Sequence, residues 1–425
     1  MEKTPVPLLV ERPVAGGRML ARLEGRVVFV AGAIPGEQVL ARVTRETKQA
    51  LWAETVEVVT PSPDRREPAS DPSCGGLAYA HIRYERQLEL KSAVMADAFR
   101  RLARIELPSA PEVTGSSERG YRLRARLHVR RGRAGFFREG THDLCDAAAT
   151  GQLLPESLTA VERLTASLGS RAAECEAIVV AENIAATERV LHLEPRDGAR
   201  LDDLARRLTL PDAVHGLTTE VRGRTITIAG SPSVTDHAGR LFGDAPAPVP
   251  GLTTWTRKAS SFFQGNRYLM GALVRRVVEL AEADPFLDLY SGVGLFAVAL
   301  AARGATGTAV EGDRSSGSDL DANAAPWRER LTVVHSSVER FVTRPRDSPP
   351  GVIVLDPPRS GISSDALGPL LSWNTPRVVY VSCDPPTLAR DAARFLGAGY
   401  RLHSLDAFDL FPNTPHMEAI VCFVR

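Results

Sequence analysis

The segment "DLYSGVGLFAVAL", Asp288 to Leu300, decides the fold of the C-terminal part of this chain. A short apolar run leads into a turn that contains Gly292 and Gly294, and an apolar stretch of helical length follows. Glycines let the backbone bend sharply and approach a ligand, and the helix that follows begins with unpaired N–H groups. The segment therefore predicts a strand, a ligand-binding loop and a helix.

The same alternation of strand and helix continues through residues 251–425. The strand-length apolar runs are "PFLDLY", "GTAVE", "LTVVHS", "GVIVLD" and "RVVYVSC". Such alternation predicts an α/β fold with a parallel, doubly wound, Rossmann-like sheet, in which ligands bind outside the carboxyl ends of the strands. Polar, acidic or reactive residues follow every run, and a purely structural sheet would not need them: Asp288 and Tyr290, Glu311, Ser336 and Ser337, Asp356, and Cys383.

The first 250 residues are organised differently. Residues 1–60 contain short β-rich runs between glycines and prolines, which predicts a small five-stranded barrel of a kind that often binds oligonucleotides. Residues 61–250 open with the proline-rich linker "TPSPDRREPASDPS", mix strands and helices as a central α+β domain, and end in the loop "GDAPAPVPG". The segment near residues 86–105 has a helical pattern, and this helix could pack on the C-terminal domain instead of on the central domain.

Composition excludes several classes of protein. The chain has 425 residues, of which 44% are hydrophobic and 24% charged, as expected of a globular protein with two or three domains. No apolar run approaches the roughly 18 residues that cross a bilayer, so we expect a cytoplasmic protein without membrane contact. The five cysteines are odd in number, widely spaced and never arranged as C-x-x-C, which predicts reduced thiols and no zinc site.

Charge is local in this chain. The formal net charge is +1, which makes no general case for a polyanionic partner. The segment from Ser117 to Gly140, however, contains eight arginines, and between Arg122 and Arg130 they alternate largely with apolar residues. This pattern predicts a strand with one basic face, which could be a solvated sheet face or a surface that follows RNA phosphates.

Two segments bear on the cofactor and on the reaction. Glu311 follows the second run, where a carboxylate can accept both ribose hydroxyls, so a dinucleotide and S-adenosylmethionine would both fit. In "LDPPRSG" the prolines fix the chain after the strand and direct Asp356 into the cleft. Arg359 stands where adenine-N6 methyltransferases place an aromatic residue and near where RNA cytosine-C5 enzymes place a cysteine. This residue therefore argues against adenine-N6 methylation and against cytosine-C5 methylation.

The segment "YVSCDPPTLARD" places Cys383 after the fifth run and ahead of a helical stretch from Thr387. Taken alone, Cys383 could be a buried structural residue or a nucleophile, because a helix start and a cation such as Arg390 favour the thiolate. His416 and Glu418 lie just before the last apolar run and could supply a base.

Six motifs occur in one order: "FFQGN" (262–266), "DLYSGVG", "VEGD", "LDPPRSG", "YVSCDPPTLARD" and "DLFPNTPHMEAIV". In this order the chain resembles the RNA uracil-C5 methyltransferases, S-adenosylmethionine-dependent enzymes that make 5-methyluridine in 23S rRNA or tRNA. The resemblance covers nearly the whole chain, since residues 1–60 look like the TRAM domain of many members. It implies that Cys383 is the nucleophile and Glu418 the base. It also implies cofactor contacts at Gln264, Tyr290, Glu311 and Asp356. Gly292 of the glycine loop is expected to approach the cofactor as well, and Ser337 stands where members often have a longer Asn or Asp near the adenine.

One departure from the family concerns metal. Many members carry a four-cysteine iron–sulfur site that includes C-G-G-C, whereas here Leu77 replaces the second of those cysteines and Pro68 occupies the upstream position. No cysteine lies near Gly151, where the fourth would be expected. The sequence therefore predicts no iron–sulfur cluster and no metal site, with Cys74 as a residual thiol.

The resemblance also implies a partner. RNA is the expected substrate, with 23S rRNA favoured over tRNA because of the TRAM-like barrel, and we expect a monomer. Three alternatives remain open: a tRNA uridine-C5 methyltransferase, a non-catalytic RNA-binding or RNA-folding protein of the same fold, and a small-molecule methyltransferase or NAD-dependent enzyme.

Overall fold

The computed structural model describes residues 4–206, 209–243, 249–251, 253–346 and 348–425. Most of the predicted loop "GDAPAPVPG" lies outside these residues. The chain divides into two compact units, which we call the barrel unit and the sheet unit. The barrel unit comprises Met1–Glu118, Cys383–Ala393 and Asp406–Glu418, and the sheet unit comprises Arg119–Ser382, Arg394–Leu405 and Ala419–Arg425.

The barrel unit begins with a closed barrel. Its strands are β1 (Val6–Pro13), β2 (Met19–Leu23), β3 (Arg26–Ala31), β4 (Gln38–Glu46) and β5 (Ala50–Thr60), in the order β1-β2-β3-β5-β4. Alternate side chains such as Val28, Val30, Leu51 and Ala53 fill the interior, because successive residues of a strand point to opposite faces. The predicted five-stranded barrel is confirmed.

The predicted linker after β5 is attached to the barrel through Glu37. The Glu37 side chain is buried and accepts hydrogen bonds from Arg65 Nε (2.7 Å) and from the backbone N–H groups of Ile34 (2.8 Å) and Ser62 (3.0 Å). Burial alone would raise the pKa of Glu37, but the hydrogen bonds, that of Arg65 foremost, outweigh it and lower the pKa. The linker is therefore a fixed part of this unit.

A helix of the barrel unit holds a segment from near the end of the chain. Helix α1 (Tyr84–Ala98) continues as a π-helix over Phe99–Ala103, and β6 (Val113–Thr114) follows. Gln87 and Lys91 lie one turn apart on α1 and are both buried. Lys91 Nζ is 2.5 Å from Asp409 Oδ1, and Gln87 donates to Asn413 Oδ1 (2.9 Å) and accepts from Asn413 N (2.9 Å).

The sheet unit begins with an α+β part, whereas residues 61–118 of the predicted central domain belong to the barrel unit. The sheet of the α+β part has the order β13-β12-β11-β10-β7-β8-β9. The elements are β7 (Arg124–Arg130), β8 (Arg133–Phe137), β9 (Leu144–Cys145), α2 (Pro155–Leu168), β10 (Cys175–Glu182), β11 (Arg189–Pro195), β12 (Gly216–Val221) and β13 (Arg224–Gly230). A hairpin of β14 (Ser233–His237) and β15 (Thr254–Lys258) and the short helix α3 (Ala238–Leu241) follow.

The basic face of β7 is partly neutralised within the sheet. The apolar residues that alternate with the polar residues of β7 are buried, as the sequence pattern predicts. Arg126, however, is 2.6 Å from Glu194, which lies on β11, and Arg130 is 3.5 Å from Glu176, which lies on β10. The exposed arginines of the segment lie mainly outside the strand: Arg119, Arg131, Arg133 and Arg138.

The second sheet of the sheet unit is the predicted Rossmann-like sheet. Its helices are α4 (Met270–Leu280), α5 (Leu295–Ala302), α6 (Arg314–Ala324), α7 (Val338–Val342), α8 (Ser364–Ser372) and α9 (Pro385–Gly397), and α9 belongs to the barrel unit up to Ala393. Its strands are β16 (Phe286–Leu289), β17 (Gly307–Glu311), β18 (Leu331–His335), β19 (Val352–Leu355), β20 (Arg377–Ser382), β21 (Arg401–Phe408) and β22 (Glu418–Val424). They follow the order β18-β17-β16-β19-β20-β22-β21, and the end of β21 also pairs with β6.

This strand order fixes where a ligand can bind. β16 pairs in parallel with β17 on one side and with β19 on the other, so the chain reverses its direction of progress across the sheet between them. Ligands of doubly wound sheets bind at such a switch point, beyond the carboxyl ends of the strands. The α/β fold predicted from the sequence is therefore confirmed, and its switch point lies after Leu289 and Leu355.

Two sequence-based statements on cysteine and membrane can be compared with the structure. Cys74 and Cys145 are disulfide-bonded, so the expectation of reduced thiols throughout was wrong, while Cys175, Cys383 and Cys422 carry thiols. Sequence spacing does not limit which cysteines a fold brings into bonding geometry. Among the helices of the described ranges, none is long and apolar enough to cross a membrane.

The buried ion pair of α1 generates a first prediction. Lys91→Met leaves the Asp409 carboxylate buried without its partner, which costs about 3–5 kcal/mol. Hydrogen exchange of the α1 amides should therefore accelerate. Removing both charges in Lys91→Met/Asp409→Asn should restore most of the protection, and Lys48→Met, at an exposed position, should change nothing. Equal exchange in Lys91→Met and Lys48→Met would show that the pair does not stabilise this unit.

Candidate functional site

The glycine loop after β16 has an unusual backbone. Tyr290 has a φ of +62°, which is uncommon for a residue with a side chain and is found at strained, functional positions. Gly292 (φ +56°) and Gly294 (φ +88°) also lie in the left-handed region. A Cβ atom on Gly294 would meet Leu320 Cδ1 at 2.7 Å, whereas one on Gly292 would meet nothing within 4 Å. Gly294 is thus favoured both by its backbone conformation and by its packing against Leu320, and Gly292 borders open space.

Glu311 is fixed beside this loop. Its two carboxylate oxygens accept hydrogen bonds from the backbone N–H groups of Gly292 (2.7 Å) and Asp313 (2.6 Å). Each oxygen keeps a further lone pair that can accept a ligand hydroxyl. Ser337 lies close to the end of the same strand, because a Cβ atom built on Gly312 would be 3.4 Å from Ser337 Cα. The structure therefore brings together Gly292, Glu311 and Ser337.

Gln264 and Asp356 form a second contact of the sheet unit. Gln264 is buried and donates from Nε2 to Asp356 Oδ2 at 3.1 Å. The Asp356 side chain reaches solvent in part, yet surrounding protein atoms desolvate it and raise its pKa to about 7, against the opposite effect of the Gln264 hydrogen bond. At neutral pH this carboxyl group is poised between its two protonation states.

Asp288 is a third carboxyl group of this region, and the sequence-based site did not include it. It is fully buried and accepts a hydrogen bond from Ala297 N (3.0 Å), at the start of α5. Burial raises the pKa of Asp288 well above its ordinary value, and the charge of Asp356 adds to this effect. The two carboxyl groups therefore titrate as a coupled pair. Its position at the end of β16 was the only signal in the sequence.

The "FFQGN" segment is held in place on both sides of Gln264. The Arg257 guanidinium lies 3.9 Å from the centre of the Phe263 ring, a close cation–π contact. Asn266 Oδ1 accepts from the N–H groups of Tyr268 (2.9 Å) and Leu269 (3.1 Å) just before α4 begins. Gln264 is thereby given a fixed direction towards Asp356.

Cys383 and Glu418 are brought together by strand register. β20 and β22 run antiparallel, with Ser382 opposite Ala419. Cys383 and Glu418 are the next residues of the two chains, and directly opposite residues of an antiparallel pair have Cβ atoms about 4.5–5.5 Å apart on one face. Glu418 is buried and Cys383 is half-buried, and the register places these two residues at opposing positions where β20 ends and β22 begins.

The residues after Cys383 explain the two prolines. Asp384 Oδ1 accepts a hydrogen bond from Thr387 N (2.9 Å), which is the contact of a helix N-cap, and α9 begins at Pro385. Proline suits the first helical positions because its missing N–H would be unpaired there in any case. Arg390, the expected cation near the thiol, is 2.8 Å from Asp391, so part of its charge is already compensated.

The segment that leads to Glu418 is anchored by α1. Asp409 and Asn413 contact Lys91 and Gln87, as described above, and the His416 ring lies edge-on to Phe411 with centroids 6.4 Å apart. The sequence did not identify Asp409 and Asn413 as functional. The available signal was the pair of polar residues four apart on α1, which lie on one helix face and need a buried partner.

Metal binding has no support in the part of the chain that the structure describes. Within that part, no group of three or more histidine, cysteine or acidic side chains could hold a metal ion. The absence of an iron–sulfur cluster stays a prediction. Cys74, expected to be a residual thiol, is disulfide-bonded instead.

Comparison with known proteins first defines the class. A solved Pyrococcus abyssi tRNA (uracil-54, C5)-methyltransferase, in complex with S-adenosyl-L-homocysteine, is similar in fold over all of both chains, with a TM-score of 0.72 and 22% identity. The switch-point sheet with its preceding barrel is therefore a fold that this chain shares with that solved protein.

The sequence comparisons then define the family. The family model described as tRNA (Uracil-5-)-methyltransferase matches residues 347–425. The 23S rRNA (uracil(1939)-C(5))-methyltransferase RlmD of Pectobacterium atrosepticum is 31% identical over 96% of this chain and 91% of its own length. An "Uncharacterized RNA methyltransferase" of Streptomyces avermitilis is 33% identical over 96% and 95%. The chain belongs to the RNA uracil-C5 methyltransferase family.

The contrast between two glycines generates a prediction about the loop. Gly292→Ala and Gly304→Ala each force a residue with a side chain into the left-handed region, at a cost of about 1–2 kcal/mol, and neither new Cβ meets an atom within 4 Å. Only Gly292 borders Glu311. Calorimetric titration with S-adenosylmethionine, the predicted cofactor, should show weaker binding for Gly292→Ala alone. Equal losses in both variants would mean that the loop does not approach the cofactor.

Proposed function

We propose that this enzyme methylates C5 of one uridine in 23S rRNA, with Cys383 as nucleophile and Glu418 as base. The register of β20 and β22, which places Cys383 and Glu418 at opposing positions at the end of the sheet, is the observation that carries the proposal. Uracil C5 is a weak nucleophile, and a thiolate that adds to C6 makes it reactive. A carboxylate must then remove the C5 proton, so the reaction needs both groups at neighbouring positions.

The sheet unit suits S-adenosylmethionine. Gly292 borders open space, Glu311 has lone pairs left for ribose hydroxyls, and Asp356 can supply negative charge near a cation. We assign cofactor contacts to these residues and, by their proximity or strained backbone, also to Gln264, Tyr290 and Ser337. When bound, S-adenosylmethionine supplies the methyl group from its sulfonium.

The residues of this chain then act in order. The Cys383 thiolate forms a bond to C6 of the uracil, and the electron pair moves onto C5 and O4 as an enolate. C5 takes the methyl group and becomes tetrahedral. Glu418 accepts the C5 proton, the electron pair of that C–H bond re-forms the C5–C6 double bond, and the C6–S bond breaks. The Cys383 thiolate is thereby regenerated and 5-methyluridine is released. The uridine must be unpaired or flipped out, at a cost of roughly a few kcal/mol, because C6 is inaccessible in a stacked helix.

The choice of 23S rRNA over tRNA rests on sequence identity. The relative named for 23S rRNA is 31% identical over 96% of this chain, whereas the solved enzyme named for tRNA covers all of this chain at 22% identity. We further infer a monomeric, cytoplasmic enzyme with an RNA-binding TRAM-like barrel (1–60), a central RNA-binding domain (61–250) and a catalytic domain (251–425). A tRNA substrate is the alternative, and mapping 5-methyluridine in both RNAs from cells with and without the gene separates the two.

The nucleophile can be tested by trapping. RNA with 5-fluorouridine at the target should form a denaturation-resistant complex with the wild type, because fluorine cannot leave as a proton does. Cys383→Ala should form none and should transfer no label from S-adenosylmethionine, whereas Cys422→Ala, a buried thiol, should behave as wild type. An equally abundant complex with Cys383→Ala would exclude this cysteine. No transfer by the wild type to any cellular RNA would favour the non-catalytic RNA-binding alternative.

The base can be tested separately. Glu418→Gln keeps the shape of the side chain but removes the proton acceptor, so the adduct with unmodified RNA should form and decay slowly. A denaturing gel should show its accumulation together with a kcat at least about a hundredfold lower. Normal turnover without accumulated adduct would contradict this role.

The raised pKa of Asp356 predicts a pH dependence. With a pKa of about 7, its ionised fraction rises about tenfold between about pH 6 and about pH 8, and the ionised form should bind the cationic cofactor better. The association constant should therefore rise with pH and level off above the pKa. In Asp356→Asn the titration of Asp356 is lost, and only Asp288 and the cofactor's own amino group should still titrate. Gln264→Leu removes a contact that lowers the pKa, so the midpoint should move upward, and an unchanged midpoint would contradict the assignment.

A further inference from the structure

The outer face of the barrel carries aromatic side chains that the barrel core does not use. Phe29 and Trp52 are register partners on β3 and β5, with ring centroids 5.5 Å apart. Their strand neighbours fill the interior, so both rings point outward and are half-buried. On the next strand Arg45 pairs with Trp52, and its guanidinium lies 4.8 Å from the ring centre. A row of one cation and two aromatic rings thus crosses three strands.

Phe29 and Trp52 line a groove of about 530 Å³, which is within the size range of small-ligand sites. The groove is also lined by the exposed side chain of Leu102, by two arginines and by a proline: Arg18, Arg101 and Pro386. Pro386 is three residues beyond Cys383, on the first turn of α9. All of these residues belong to the barrel unit.

The charge around the groove is positive. Asp97 is its only acidic lining residue among those the structure describes, and Arg12 (3.1 Å), Arg100 (2.5 Å) and Arg101 (3.5 Å) surround it. Arg100 and Arg101 project from the π-helix that ends α1, a rare conformation that occurs often at functional sites. One carboxylate cannot balance these guanidinium groups, so the rim favours an anion.

We propose that this groove, which we call the stacking groove, holds an unpaired nucleotide of the RNA substrate close in sequence to the target uridine. Its base lies against Trp52 and Phe29, and its phosphates contact Arg101 and Arg18. Aromatic rings beside arginines are the usual way to bind single-stranded nucleic acid without strict sequence preference. This inference rests on the proposed function and adds the site that holds the flanking RNA.

The stacking groove also compensates for the cost of exposing the uridine. Flipping one base leaves its neighbours without a stacking partner. A second base that stacks on protein recovers about 1–3 kcal/mol. Because Pro386 follows Cys383 on the same helix start, the groove is suited to a nucleotide near the reacting one, and not to a distant part of the RNA.

The test is equilibrium binding of RNA oligonucleotides that carry the mapped target uridine, in nested sets shortened from each end. Trp52→Ala should weaken binding of long oligonucleotides about tenfold and should have no effect once the stacked nucleotide has been removed. Trp52→Phe should retain most of the affinity. The matched control is Val56→Ala, an exposed apolar residue on the same strand that does not line the groove.

Salt dependence separates the two kinds of contact. Arg101→Gln should reduce the slope of log affinity against log salt by about one, as expected when one phosphate contact is lost, whereas Trp52→Ala should leave the slope unchanged. Trapping by 5-fluorouridine should be normal in the control Val56→Ala, which does not line the groove.

Two outcomes are kept distinct. If the wild type methylates RNA but Trp52→Ala binds every oligonucleotide as Val56→Ala does, the stacking groove is refuted and the proposed function stands. In that case the aromatic surface would serve another partner, such as a protein. If the wild type neither methylates nor is trapped, the proposed function itself fails.

Discussion

The antiparallel pairing of β22 with β20 is the constraint on which the chemistry of this chain depends. All the other strands that flank β16 and β19 run parallel, and parallel neighbours bring only carboxyl ends together. Reversing one strand brings the beginning of β22 to the end of β20, so that Glu418 meets Cys383. A slip of one residue would turn Glu418 to the opposite face of the sheet. The proton acceptor is therefore positioned by backbone hydrogen bonds and not by a loop.

The supporting structure of the site follows a common rule: polar groups are buried where their direction matters. Gln264 is buried to orient Asp356, and Lys91 is buried to hold Asp409. Burial of Asp288 and Asp356 raises the pKa of each, which means that the protein holds these carboxyl groups in an environment that disfavours their charge. Groups kept in this way are ready for a cationic ligand, at the expense of stability without it.

Local pattern predicted the elements well, and it failed where distant partners decide. The glycine loop, the five strand ends and the barrel depend on short-range periodicity, which a sequence displays directly. Short-range periodicity does not show which residue an arginine on β7 pairs with. Arg126 reaches Glu194 on β11 across the single strand β10, and only the order of strands in the sheet brings them this close. Similarly, no spacing connects Lys91 with Asp409, or indicates that Cys74 is oxidised. The adjacency of Cys383 and Glu418 required the direction of β22, which an apolar run does not specify.

The discontinuous barrel unit has a consequence for the order of events on the ribosome. The strands of the barrel are neighbours in sequence and can pair as soon as they emerge, since domains fold from the N-terminus during synthesis. Lys91, by contrast, is synthesised 318 residues before Asp409. Cys383 likewise precedes Glu418, with α9 and β21 between them. The nascent chain thus has its barrel long before its reactive pair. An interrupted translation product carries the aromatic and basic surface of the barrel but has no means of modifying what that surface holds.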